Sequence, residues 1–195
     1  MMTPESIAPS TRGRLGRWVL AGWLIATVVL GGALLALHQP LPLPPPQPAA
    51  ATGRYVLLHA LATQCPCSMR VLDYLAARGA HAGVDERVLL VDGDEAVSGR
   101  LRARGFTVEP VDAAALAQRY RIEAAPLLVI LRPNGSVAYR GAHSPRPQMA
   151  PVDLALLDEV RRGGEPSSLA LLGCAVSRAL QDRLDPLGIK YSLWR

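Results

Sequence analysis

The chain has 195 residues, about one domain's worth at roughly 100–200 residues each, which argues against separate cofactor and substrate lobes. Half of the residues are hydrophobic and 5% are aromatic, so the chain is too apolar for global disorder and too poor in rings for a base-stacking nucleic-acid platform. The net charge of +5 leans on Arg12, Arg14 and Arg17; beyond residue 50 there are 18 basic and 15 acidic residues, a near balance that excludes nucleic acid as a partner.

In chain order, residues 1–17 form a basic N-terminus and residues 18–37 (WVLAGWLIATVVLGGALLAL) an uncharged run. At 1.5 Å per residue such a run spans roughly 30 Å as a helix, the thickness of the bilayer core. The arginines precede it, so the charge rule keeps residues 1–17 in the cytoplasm and sends the rest across the inner membrane, to the periplasmic side. A cleaved signal peptide competes with this anchor, but the run exceeds the usual ~7–15 residues and Leu34 stands where a cleavage site wants a small residue. Residues 38–53 hold six prolines in 16 positions, which predicts a stiff linker that, as a polyproline II rod, would hold the domain away from the bilayer.

From residue 54 on, strands and helices alternate. Tyr55–Ala60 reads as a strand, followed after a short loop by Cys65 and a helix that stops at Gly79. Val88–Val91 is a second strand, Glu95–Arg104 a helix, Thr107–Val111 a third strand, and Asp112 caps a helix through Tyr120. Leu127–Leu131 is a buried strand joined by Pro133-Asn134-Gly135 to an antiparallel partner at Ser136–Tyr139, and Val152–Arg162 closes the unit as a helix. Residues 163–195 form a C-terminal extension of helical, apolar-periodic character. The expected class is α/β, a central mixed sheet flanked by helices.

The stretch VLLHALATQCPCSM resembles the strand, loop and redox-helix start of thioredoxins. That register implies Cys65 as the nucleophilic cysteine and puts Ser68 where the resolving one is usual. A second stretch, YRIEAAPLLVILRPNGSVAYRG, is similar to the family's cis-proline segment. It implies Pro126 as that proline and Ala125 as the residue whose backbone pairs with substrate. The two stretches, the anchor and the insertion between them resemble the membrane-tethered TlpA/ResA-like thiol-disulfide oxidoreductases of cytochrome maturation and oxidative-stress repair. The resemblance covers residues 54–162. It departs from the family at Cys67-Ser68, at Gln64 where tryptophan is usual, at Leu127 where threonine is usual, and at His59, which replaces a buried acid.

Three cysteines are too few for a disulfide scaffold or a four-thiolate zinc site. Cys65, at a helix start, has the environment of a thiolate, where unpaired N–H groups bring a thiol pKa from ~8.5 down to ~3.5–7.5. Cys67 has three open readings. It forms a strained redox couple with Cys65, it is a structural thiol beside a lone nucleophile, or the pair captures a soft metal. Side chains at i and i+2 point about 200° apart on a helix, which makes a direct bridge strained. Cys174 reads as a core residue unless folding brings it to Cys65. His59 is a core histidine or a proton relay. The sequence thus points to a thiol-disulfide oxidoreductase with Cys65 and Cys67 as catalytic thiols, Ala125 and Pro126 docking substrate, and no cofactor. Its expected partners are protein thiols and disulfides and a membrane electron donor. The alternative is a non-catalytic thioredoxin-like module, such as a copper(I) carrier using both thiols with His59 or His143.

Overall fold

The computed structural model describes residues 11–37, 39–186, 188, 190 and 191, so residues 1–10 of the expected cytoplasmic segment and 192–195 of the extension lie outside it. Two compact units divide near residue 40. The first is a single helix, α1 (Thr11–Leu37), in which the 22 residues Arg14–Leu35 are long and apolar enough to cross a membrane. Trp18, Val19, Trp23, Ile25 and Val28 are exposed on it, a helix apolar all round rather than on one stripe.

The second unit is built on β1 (Val56–Ala62), every residue of which is buried or half-buried. It leads through the turn at Cys65 into α2 (Pro66–Arg78), then β2 (Asp85–Val91), α3 (Glu95–Arg102), β3 (Thr107–Val111) and α4 (Ala113–Tyr120). Each helix start has a local cause. Pro66 is pre-set for the first turn of α2, while the carboxylates of Asp94 and Asp112 accept from the backbone N–H groups of Val97 and Ala115 at 2.8 and 2.6 Å. β1, β2 and β3 are parallel, as crossover helices require. After the two-residue β4 (Ala124–Ala125), β5 (Leu127–Leu131) runs antiparallel to β1, and β6 (Val137–Gly141) folds back on β5. The sheet order is β3-β2-β1-β5-β6, so β1 is central. Helix α5 (Asp153–Arg161) follows.

The alternation of β1 separates two cores. Leu61 packs with Leu72, Leu75, Val88, Leu90 and Phe106 on the α2 face, whereas Ala60 and Ala62 join Leu89, Leu116 and Leu127 on the other.

Two expectations about the flanking segments are revised. The proline-rich stretch is no free rod, because the Leu41 N–H donates to Leu171 O at 2.8 Å, the Ala49 N–H donates to Gly135 O at 3.0 Å, and Leu41 is buried. Prolines keep their carbonyls, so the strap still pairs: Arg140 donates to Pro44 O. The extension from 163 is not simply helical either. It contains β7 (Cys174–Ala175) and one short helix, α6 (Arg178–Leu184). Leu171, Ala175, Val176, Leu180 and Tyr191 are buried there in the same core as Ala60 and Leu127.

Candidate active site

Cys65 is the N-cap of α2, with extended backbone at φ −98° and ψ 115°, and it is fully buried. Its Sγ lies 3.7 Å from the carbonyl oxygen of Ala125. A hydrogen bond from Cys174 lowers its pKa to about 6, against the opposing effect of burial and with help from the Ser68 N–H and hydroxyl and the Cys67 N–H. Donors at a helix start favour the anion because they have no carbonyl of their own to meet. Burial, followed by the negative charge on Cys65, pushes Cys67 up, and the bond to Cys65 pushes Cys174 up even more strongly. All three cysteines are free thiols; Cys67 and Cys174 are half-buried.

Under β1 lies a second group of polar side chains. His59 Nδ1 is 2.9 Å from His143 Nε2, and His59 Nε2 is 3.4 Å from Glu86 Oε2. Arg78 bridges Glu86 and Asp153 at 2.8 and 2.7 Å, and Tyr74 donates to Asp153 at 2.9 Å. His59, Glu86, His143 and Asp153 are all buried. Burial opposes ionisation of Glu86, but His59 nearby and hydrogen bonds from Arg78 hold its pKa at about 2. Burial pushes His143 well below the usual histidine range, so it is neutral. His143 also lines a cleft of about 220 Å³ with Cys67, Arg70, Pro126 and Met149. Among the described residues no group of three or more His, Cys, Asp or Glu side chains is arranged to hold a metal ion.

The Ala125-Pro126 peptide bond is cis, the isomer the resemblance implies, and it faces the Cys65 sulfur across the end of the central strand. Parallel βαβ units, a cysteine at the β1–α2 turn and a cis-proline opening the antiparallel hairpin together define the architecture. This strand order and these connections are thioredoxin-like. Solved structures similar to this chain include a hypothetical protein from Sinorhizobium meliloti, at 14% identity, covering 71% of this chain and 92% of that one with a TM-score of 0.47. A putative thioredoxin from Neisseria meningitidis matches at 15% identity over 61% and 87% with a TM-score of 0.42. A putative thiol:disulfide interchange protein from Chlorobium tepidum matches at 17% identity over 65% and 95% with a TM-score of 0.37. No protein-family model matches the sequence, and no curated protein does. With TM-scores below 0.5 and identities of 14–17%, these likenesses carry no argument, and both fold and site rest on this chain's own residues.

In this thioredoxin-like domain, the edge expected to receive substrate is already paired. β4 runs antiparallel to β7, with Ala124 opposite Ala175 and Ala125 opposite Cys174. Cys65, Cys67, Ala125 and Pro126 therefore converge, whereas His59 lies on the opposite face of β1 and reaches the cleft through His143. Sequence reasoning left Cys174 unplaced because a β-pairing between distant segments leaves no local signal. It also missed Glu86, Arg78 and Asp153. Glu86 precedes the expected start of its strand, yet the strand begins at Asp85 and turns Glu86 inward.

Proposed function

We propose that this protein is a membrane-tethered thiol-disulfide oxidoreductase acting on protein disulfides outside the cytoplasm. One observation carries the reading. A buried thiol at a helix start, its pKa lowered to about 6, lies with a second thiol at Ala125, beside a proline that borders an open cleft. A thiolate present at neutral pH is what thiol-disulfide exchange requires, and exchange needs no cofactor. Cys65 is the thiolate at the centre of the reaction, and Pro126 borders the cleft where substrate docks, the Ala125 edge being held by β7. Cys67, the second thiol anticipated beside it, borders the cleft, but the Met69 N–H still donates to Cys65 O at 3.0 Å, so the first turn of α2 is wound. A Cys65–Cys67 bond would require that turn to open. His59 and His143 offer a path for the proton that a departing thiolate takes up. α1 is the anchor, and a membrane electron donor returns the oxidised site to the thiol state.

The test uses the full chain in detergent micelles, with insulin as the disulfide substrate and dithiothreitol as the reductant. The wild type accelerates insulin reduction over dithiothreitol alone, and Cys65→Ser abolishes the gain. Equal rates with and without protein, or full activity in Cys65→Ser, would overturn the reading.

A further inference from the structure

We propose that Cys174, carried by β7 onto the Ala125 edge beside Cys65, is the second thiol of the reaction and the sulfur at which external thiols and disulfides exchange. The inference deepens the reading above and rests on it.

Placement is the first support. Cys174 is the register partner of Ala125, and Cys65 Sγ lies 3.7 Å from the Ala125 carbonyl, so both cysteines meet around one residue. Nothing about this segment is a loose tail. A Cβ on Gly173 would stand 2.1 Å from Ala125 O and 2.8 Å from Pro126 Cδ, so the chain passes the cis-proline at a distance only glycine permits. On the other side the Ala175 N–H donates to the Tyr191 hydroxyl at 3.2 Å, Gln181 Nε2 donates to Ala175 O at 3.0 Å, and the Val176 N–H donates to Glu123 O at 2.7 Å. Access is the second support. Cys65 has no exposed surface whereas Cys174 is half-buried, and exchange rates depend on which sulfur a reagent can reach.

The chemistry follows from this juxtaposition. Cys65, at the same residue, is the base for Cys174: transfer of the Cys174 proton to the Cys65 thiolate makes Cys174 the attacking thiolate. Cys174 attacks one sulfur of a substrate disulfide, forming a mixed disulfide and expelling the other substrate sulfur as a thiolate, which takes the proton from Cys65. Cys65 then attacks Cys174 Sγ, forming the Cys65–Cys174 bond and releasing the second substrate thiolate, which is protonated by water. The substrate gains two electrons and the cysteine pair loses two. An external dithiol reverses the sequence. One of its thiolates attacks Cys174, Cys65 departs as the more acidic and faster leaving group, and the second thiol closes the reductant's own disulfide.

The experiment treats the reduced full-length protein in detergent with oxidised glutathione and maps disulfides by mass spectrometry. Wild type and Cys67→Ser yield a peptide linking Cys65 to Cys174, and Cys65→Ser retains glutathione on Cys174. Insulin reduction by Cys174→Ser falls by on the order of a hundredfold, as a neighbouring thiol is replaced by one from solution. A Cys65–Cys67 peptide in the wild type, or unimpaired turnover in Cys174→Ser, overturns the inference and leaves the oxidoreductase reading standing. Loss of no Cys65 thiol in the wild type, together with no insulin reduction, overturns the reading itself. The wild-type map decides between these without any variant having to fold.

Discussion

A thiol buried among apolar side chains ordinarily keeps its proton, because desolvation penalises the anion. Cys65 departs from this because the Cys174 hydrogen bond and the donors of the first turn of α2 outweigh burial. Alkylation with iodoacetamide across a pH series, read by peptide mass spectrometry, is expected to give Cys65 an apparent pKa of about 6, the lowest of the three thiols. Cys174→Ala removes the largest lowering contribution, and the value should rise toward the ordinary 9.0. An unchanged value would mean that the helix start alone sets the acidity. Glu86 balances similar forces, and its ionised form is favoured in the folded state. Its pKa is about 2 when folded against 4.5 when free, so its stabilisation is complete above pH 4.5 and fades as the pH falls to about 2. At about 1.36 kcal/mol per pH unit the contribution is on the order of 3 kcal/mol. Glu86→Gln should lose about that much stability in urea unfolding at pH 7, and the gap should close between pH 4.5 and 2. A gap independent of pH would assign the loss to packing rather than charge.

At the scale of elements, β7 is two residues long and owes its position to its neighbours. Gly173 allows the close pass over Ala125 and Pro126, and the Ser177 hydroxyl, which accepts from the Leu180 N–H at 3.1 Å, starts α6 immediately afterwards. Gly173→Ala is expected to displace β7 from β4. A methyl group cannot sit 2.1 Å from a carbonyl oxygen, and Ala125 is itself fully buried in the core. The measurable consequence is slower formation of the Cys65–Cys174 bond at an unchanged Cys65 content. Wild-type kinetics in that variant would show that β7 accommodates the change. Other elements were readable from their own residues. The caps at Asp94 and Asp112, the proline opening α2 and the turn before β6 each act within a few positions.

For the whole molecule, the last thirty or so residues belong to the core rather than trailing from it. Leu171, Val176, Leu180 and Tyr191 are buried with Leu41 of the proline-rich strap, each contributing about 1.5–3 kcal/mol by burial. Deleting residues 165–195 should therefore cost most of the net stability of a domain, which is typically about 5–15 kcal/mol. The check is loss of the cooperative thermal transition by circular dichroism; a truncated protein melting like the full chain would make the segment an appendage after all. Local pattern was enough for the apolar helix α1, for the alternating strands and helices, and for the two stretches that meet at Cys65 and Pro126. Periodicity, capping and turn chemistry act over a few residues and leave their mark in the order of the side chains. The position of Cys174, the inward turn of Glu86 and the strap over the sheet came only with the folded chain. Each depends on contacts between segments far apart in sequence, where pairing and burial are decided by what the rest of the core leaves uncovered.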